Sequence, residues 1–202
     1  KQAASSSYFV PELVSCEAPE RERMLQEICS SEALSFADFF SSFSLEPVVR
    51  VSDEIRKSSR IFIYAHDLSK VLGEFLKSRL QNLSFNALLI DLADLDETQR
   101  TLRQLTNGDM VIFFSFPRYY FPIGNIAKKA ADTGVPVLTI TDSDASPAAR
   151  HSKHLLFCPT STKFFYNSMT VPMALLNILA SCLVIDSVSP SDRQTFIETL
   201  SS

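Results

Sequence analysis

The residue types best suited to chemistry lie in three short stretches, each of which follows an apolar run. They are residues 65–69, 115–120 and 141–147, which read AHDLS, SFPRYY and TDSDASP. Arg118 suggests anion binding, because a guanidinium offers a planar fork of donors that matches phosphate or carboxylate. Tyr119 and Tyr120 beside it can close a pocket or stack on the face of a sugar.

The turn at 115–120 favours the same chemistry. A helix that starts near Tyr120 directs its positive dipole end toward a bound anion, and Pro117 stiffens the turn. The alternative is that Arg118 is a solvated turn residue and that the pocket is filled or vestigial. His66 is the one plausible catalytic base of the three stretches, since none of them contains glutamate.

The glycine pattern excludes two common nucleotide sites. The chain has four glycines, at positions 73, 108, 124 and 134, and none lies in the three stretches. Dinucleotide and P-loop fingerprints need glycine so that the backbone can approach phosphate closely. His151 and His154 have HxxH spacing without a HExxH context, and the four cysteines form no CxxC pair. We therefore predict no metal, no cofactor and the reduced thiols of a cytoplasmic protein.

The elements that position these stretches follow an alternating pattern from residue 61 onward. Apolar, β-prone runs cover 61–65, 85–91, 110–115, 135–141 and 154–159, with helical segments between them. Such a pattern is typical of a parallel sheet that helices cover on both faces. The sequence predicts an α/β fold, a three-layer α/β/α sandwich with a five-stranded parallel sheet. Ligands of such sheets bind beyond the carboxyl ends of the strands, where the three stretches fall.

Both flanks predict additional helices. Residues 1–16 are interpreted as a linker remnant, and 17–59 as helices that pack on a domain formed by 60–202. These helices are a first one opened by Pro19, a second capped by Ser31 or Ser35, and a third over 46–59. A helix over about 164–185 is apolar on several faces, so one face could be a subunit interface. Its longest apolar stretch, near residues 171–185, is interrupted by Pro172, Asn177 and Ser181, and we interpret that stretch as too short and too polar for a membrane span. The net charge of −4 gives no general attraction to nucleic acid or anionic membranes.

Two longer stretches are similar to a known family. Residues 134–156 read GVPVLTITDSDASPAARHSKHLL, which contains a glycine, a strand, a Thr-Asp-Ser turn and Ser-Pro before the fifth strand. Residues 105–115 read LTNGDMVIFFS. On these motifs the chain, from about residue 45 to 187, resembles the SIS (sugar isomerase) domain. In particular it resembles the effector domain of RpiR-type bacterial transcription regulators, which implies a flavodoxin-like fold.

The candidate loops depart from the pattern of that family. The first loop is usually rich in glycine and ends in serine; here Ala65 and Asp67 stand at the glycines, and Ser69 matches the serine. The second loop usually reads Ser-x-Ser-Gly-x-Thr, and Ser115 matches its first serine. The other three motif positions hold Pro117, Arg118 and Tyr120. Two hydroxyls that the family uses to hold phosphate are therefore missing.

The resemblance implies the effector-sensing and oligomerisation domain of a transcription regulator, without enzyme activity or catalytic residues. The predicted ligand is a sugar phosphate or other small anionic metabolite, bound by His66, Ser69, Ser115, Arg118, Tyr119 and Tyr120. The resemblance also implies a homodimer or tetramer, a cytoplasmic location, no membrane partner, and DNA binding only through an N-terminal helix-turn-helix domain absent from this chain. The alternatives are a sugar-phosphate aldose–ketose isomerase and a ligand-free dimerisation module.

Overall fold

Five strands alternate with helices in a computed structural model, which describes residues 17–162, 167–189, 192, 193, 197 and 198. The strands are β1 (Arg60–Ala65), β2 (Ala87–Asp91), β3 (Asp109–Ser115), β4 (Val137–Thr141) and β5 (His154–Phe157). The helices are α1 (Ala18–Ser42), α2 (Glu46–Lys57), α3 (Ser69–Asn82), α4 (Leu95–Arg103), α5 (Ile123–Asp132) and α6 (Thr170–Ser187). A short 3-10 helix, Ala149–His151, precedes β5.

All neighbouring strands of the sheet are parallel, and their order is β2-β1-β3-β4-β5. The chain moves outward from β1 to β2 and then returns to β3 on the other side of β1. The order of the strands therefore reverses between β1 and β3, which is where open α/β sheets form a crevice at their carboxyl ends. The predicted five-stranded parallel sheet is confirmed.

Side chains of β1 and β3 alternate between two hydrophobic cores, one on each face of the sheet. Phe62 and Tyr64 of β1 enter the core that contains α4 and α5, whereas Ile61 and Ile63 enter the core that contains α2, α3 and α6. All seven residues of β3 are buried, as expected for a central strand covered on both faces. The result is the predicted three-layer sandwich.

Local sequence signals set several ends of the helices. The side chain of Asp94 accepts a hydrogen bond from the amide of Glu97 at 2.8 Å and so caps α4. Beyond the last residue of α5, Gly134 adopts a φ of +84°, a left-handed conformation that glycine accommodates without strain. These signals fix where α4 begins and where the chain turns from α5 toward β4.

The first helix differs from the prediction. α1 is one continuous helix of 25 residues with Pro19 in its first turn, so the helix start expected at Pro19 is confirmed, whereas the second helix expected from Ser31 or Ser35 was wrong. Neighbouring Ser30 donates its hydroxyl hydrogen to the carbonyl of Gln26 at 2.9 Å, which is a bond within the helix rather than a cap. None of the residues of α1 is buried, although Phe39 packs against the core.

The helix α6 begins at Thr170 rather than near residue 164, and residues 163–166 lie outside the described residues. Among the described residues it is the one helix long and apolar enough to cross a membrane by length and composition. One side of the helix is part of the hydrophobic core, where Val171, Leu175, Leu176, Leu179 and Leu183 are buried. The predicted linker at 1–16 lies outside the described residues, and the predicted division at residue 60 stays a prediction.

Candidate functional site

A cleft of about 500 Å³ opens beyond the carboxyl ends of β1 and β3. Its lining contains all six residues predicted to bind a ligand: His66, Ser69, Ser115, Arg118, Tyr119 and Tyr120. The cleft occupies the position where the order of the strands reverses. The structure thus brings together two loops that lie about fifty residues apart in the sequence.

The loop after β1 forms one wall. Asp67 adopts a left-handed φ of +50°, which turns the chain into α3, and Ser69 is the first residue of that helix. The amides of Ser69 and Lys70 donate to the carbonyls of His66 and Asp67 at 3.1 and 3.0 Å. The first turn of α3 therefore satisfies these amides internally, although the dipole of the helix still points at the cleft.

Ser115 forms the floor at the end of β3. It is 3% exposed, and its hydroxyl oxygen accepts a hydrogen bond from Ser146, also buried, at 2.8 Å. Its carbonyl accepts a second hydrogen bond from Thr141 at 2.6 Å. Ser115 therefore joins the cleft to the loop after β4, and it has little surface for a ligand.

The loop after β3 supplies the other wall. Tyr119 donates its hydroxyl hydrogen to Asp142 at 2.8 Å, and burial together with this carboxylate raises the pKa of Tyr119 to about 12. Asp142 itself does not line the cleft. Arg118, between Pro117 and Tyr119, is exposed at the rim.

His66 and Tyr120 form an aromatic contact across the cleft. Their ring centroids lie 4.4 Å apart with an angle of 31° between the planes. The Nδ1 atom of His66 is buried and has no hydrogen-bond partner among the residues that the structure describes. The two rings cover each other's facing sides, and the contact holds the imidazole that would have to serve as a base in any proton transfer.

Asn167 is a lining residue that the sequence prediction missed. It adopts a left-handed φ of +64°, and its side-chain amide donates to the carbonyl of Pro117. Thr160 donates in turn to the side-chain oxygen of Asn167 at 3.0 Å. The residue lies in an irregular segment without a motif, so only its possible left-handed conformation, common for asparagine, could have drawn attention to it.

The residues that follow Asn167 reach α1. The hydroxyls of Ser168 and Thr170 both donate to the Oε2 atom of Glu32, at 2.7 and 3.0 Å. A continuous set of hydrogen bonds therefore joins the loop at Pro117 to the middle of the first helix. We call the residues Pro117, Asn167, Ser168, Thr170 and Glu32 the 167–170 network.

The remaining candidate residues lie away from the cleft. His154 is the first residue of β5, an edge strand of the sheet, and burial lowers its pKa. No group of three or more His, Cys, Asp or Glu residues that could hold a metal ion occurs in the described part of the chain. Cys29, Cys158 and Cys182 are free thiols.

Comparisons with known proteins agree with the fold. The model of the SIS domain family matches residues 54–182. A comparison with curated protein sequences gives no match. The sugar isomerase domain of an RpiR transcription factor from Sphaerobacter thermophilus has a TM-score of 0.76 at 20% identity, covering 89% of this chain and 98% of that one.

Two further solved structures illustrate the range of the fold. The NanR protein of Vibrio vulnificus, complexed with ManNAc-6P, has a TM-score of 0.71 at 17% identity, covering 88% of this chain and 67% of that one. The protein MJ1247 of Methanococcus jannaschii, for which a function as 3-hexulose-6-phosphate isomerase was inferred, has a TM-score of 0.60 at 16% identity, covering 85% and 96%. At such identities the likeness shows a shared fold.

Proposed function

The chain belongs to the SIS domain family, and from this premise we propose that it is the effector-sensing and oligomerisation domain of an RpiR-type transcription regulator. In this proposal it acts in the cytoplasm as a homodimer or tetramer. Contact with DNA belongs to a helix-turn-helix domain outside this chain. The cleft at β1 and β3 binds a sugar phosphate or another small anionic metabolite.

The observation that carries the proposal is the convergence of the six predicted residues on one cleft. Arg118 brings a cation, the start of α3 brings a favourable dipole, and His66 and Tyr120 bring aromatic side chains. A cleft that combines a few charged groups with aromatic walls suits a small metabolite. The RpiR and NanR structures support the same role, since one is a transcription factor and the other is complexed with a sugar phosphate.

An isomerase is the competing function, because an isomerase function was inferred for MJ1247, which shares the fold. Isomerisation moves a proton between adjacent carbons and needs a positioned base. Glutamate does not occur among the residues that line the cleft, and the imidazole of His66 lies against the ring of Tyr120. These features favour binding over turnover.

A thermal-shift screen of sugar phosphates and other anionic metabolites tests the proposal. We expect at least one compound to raise the melting temperature, because a ligand that binds only the folded chain stabilises it. An isomerase assay on each such compound should detect no turnover. Turnover would make the isomerase the better account, and a screen without any shift would favour the ligand-free dimerisation module.

A further inference from the structure

We propose that a groove between the end of α1 and the edge strand β5 binds a small organic ammonium ion. Phe39 and Phe43 line this groove from α1, Phe157 and Pro159 line it from β5, and Asp142 also contributes to the lining. We call it the β5 groove. Its volume is about 380 Å³, which is within the range of small-molecule sites. Its described lining residues are all different from those of the cleft at β1 and β3, so the two sites can be occupied separately.

Asp142 gives the β5 groove a negative charge. The preceding residue, Thr141, pairs in register with Phe157, so Asp142 lies beside the end of β5. Its Oδ1 atom accepts hydrogen bonds from Tyr119 at 2.8 Å and from Thr141 at 3.3 Å, whereas its Oδ2 atom has no donor within the described part of the chain. A carboxylate can accept about four hydrogen bonds, so it retains capacity for an ammonium donor. Lysine and arginine are absent from the described lining, which leaves this charge without a counter-charge in the groove.

The end of α1 adds to the negative potential. The last carbonyls of a helix lack partners within the helix and carry the negative end of its dipole. Ser42, the last residue of α1, lines the groove, and the last turn of α1 contains no basic residue. Pro47 in the first turn of α2 lines the groove as well, but the positive end of α2 already has Glu46 beside it. A bound cation would supply the positive charge that the end of α1 lacks.

The aromatic lining favours the same sign of charge. A cation within about 6 Å of the centre of an aromatic ring is attracted by the negative face of that ring. The rings of Phe39 and Phe43 lie 4.7 Å apart and cover each other in part. Phe157, by contrast, is 42% exposed, so its ring is open to a ligand in the groove.

The β5 groove therefore distinguishes between charges. A cation gains from the carboxylate, from the end of α1 and from the face of the ring, whereas an anion is repelled by all three. A neutral molecule of the same shape gains only from contact with the apolar walls. The class of ligand that fits is thus an ammonium group on a small apolar skeleton.

Three probes that share a phenyl ring test the proposal on the full chain. Near neutral pH, 2-phenylethylamine is a cation, 2-phenylethanol is neutral and phenylacetate is an anion. Titrations followed by the NMR shifts of the backbone amides measure each affinity and locate the site. We expect the ammonium to bind about tenfold more tightly than the alcohol, and phenylacetate to bind most weakly. The largest shifts should occur near Asp142 and Phe157.

Two variants separate the charge from the ring. Asp142→Asn removes the charge but keeps a side-chain oxygen that can accept from Tyr119, and it should lower the affinity for 2-phenylethylamine about tenfold. Phe157→Leu keeps an apolar side chain without a ring and should lower the affinity about threefold. Asp144→Asn is the matched control, at an exposed position of the same loop outside the lining, and should leave the affinity unchanged.

Each other outcome would overturn the proposal. Equal affinities for the ammonium and the alcohol would show that the charge of Asp142 contributes nothing. Binding that survives Asp142→Asn, or shifts confined to the cleft at β1 and β3, would show that another site holds the cation. Failure of all three probes to bind at millimolar concentration would show that the groove takes no such ligand. The metabolite screen tests the proposed function separately, so either proposal can fail alone.

Discussion

Arg118 stands at the rim of the cleft and supplies its cation. Arg118→Ala should weaken the binding of an anionic ligand to this cleft by about 1.5–3 kcal/mol, the usual contribution of a hydrogen bond to a charged group. Arg118→Lys should restore only part of the affinity, because a lysine lacks the planar fork. Titration of one ligand against all three proteins measures the series, and equal affinity in Arg118→Ala would contradict a role for this residue.

Asp109 is a buried charged residue at the start of β3, at the end of the strand away from the cleft. It is 1% exposed, and it accepts hydrogen bonds from the Nε and Nη2 atoms of Arg60 at 2.8 and 2.7 Å. Burial acts to raise the pKa of Asp109, but the hydrogen bonds from Arg60 and Thr106 outweigh it and hold the pKa below its ordinary value. The carboxylate therefore stabilises the fold at pH values above the pKa that aspartate has in the unfolded chain. This stabilisation is lost as the pH falls from that pKa toward the lower pKa of the folded state.

Asp109→Asn should lower the free energy of unfolding by about 1–3 kcal/mol at neutral pH, because it removes the counter-charge of Arg60, whose side chain remains 33% exposed to water. The difference from the wild type should shrink below about pH 4, where the unfolded wild-type aspartate is protonated. Urea denaturation at both pH values measures it. Asp132→Asn is the control, since its ion pair with Lys128 is exposed and should leave stability unchanged. Equal free energies of unfolding for Asp109→Asn and the wild type would show that the ion pair with Arg60 contributes nothing to stability.

Two tyrosines predict a loss of stability at alkaline pH. Burial raises the pKa of Tyr64 to about 12, and burial with Asp142 raises that of Tyr119 to about 12. The unfolded chain ionises its tyrosines near pH 10, so the folded state binds more protons above that pH. The free energy of unfolding should therefore fall as the pH rises from about 10 to 12.

Denaturation by urea across this range should show a shallower fall in Tyr64→Phe than in the wild type, because the variant loses one of the two shifted groups. Tyr64→Phe also loses the hydrogen bond to Thr101, so the slope with pH, rather than the absolute stability, is the informative quantity. Identical slopes in the two proteins would show that Tyr64 titrates normally in the folded state.

At this scale the sequence predicted which residues meet at one cleft but not the contacts around them. Residue types and position after strands were enough to select six of the residues that line the cleft, and their role in binding stays a prediction. The sequence did not reveal that Ser146 engages Ser115 or that Asn167 reaches Pro117, because both contacts join segments distant along the chain. Hydrogen bonds between irregular loops leave no periodic pattern in the sequence.

At the scale of elements, the strands were predictable because buried parallel strands are continuous apolar runs. Every residue of β3 and β4 is buried, so nothing in their sequences competes with the strand prediction. The error in α1 has the opposite cause. Ser31 and Ser35 suggested a new helix start, but α1 runs through both, and the hydroxyl of the neighbouring Ser30 donates to the carbonyl of Gln26 within the helix. A serine side chain can cap the start of a helix by accepting from a backbone amide, but within a helix it can instead donate to a carbonyl of the preceding turn.

The attachment of α1 predicts a local effect. Glu32 accepts hydrogen bonds from Ser168 and Thr170, whereas no residue of α1 is buried. Glu32→Ala should therefore loosen α1 while the sheet keeps its stability. We expect amide exchange in α1 to accelerate about tenfold, which corresponds to the loss of about one hydrogen bond.

Glu22→Ala, at an exposed position of the same helix, is the matched control and should leave exchange unchanged. Hydrogen exchange with peptide resolution distinguishes α1 from the strands in both variants. Equal protection of α1 in Glu32→Ala and the wild type would show that packing of residues such as Phe39, rather than Glu32, attaches the helix.

At the scale of the whole molecule, the exposed apolar residues of α6 predict self-association. Val184 and Ile185 are 39% and 44% exposed beside the core residues of the same helix. A two-fold dimer is the commonest way to bury such a face. Light scattering at micromolar concentration should give at least twice the chain mass of 22.6 kDa.

Ile185→Glu should shift the mass toward that of the monomer, because it places a charge in the expected interface. Leu95→Glu is the control: Leu95 is 54% exposed but begins α4, on the other face of the sheet. A wild-type protein that remains monomeric would contradict the prediction, and dissociation by Leu95→Glu instead would place the interface on the opposite face.

The 167–170 network has a thermodynamic consequence. Asn167 holds the loop that contains Arg118, while Ser168 and Thr170 hold Glu32 of the first described helix. Free energy is a function of state, so coupling between two such positions acts equally in both directions. If a ligand that displaces the loop weakens the docking of α1, then undocking of α1 lowers the binding affinity of that ligand by the same factor. A partner that pulls α1 away from the domain would in that case change the metabolite concentration at which half of the clefts are occupied.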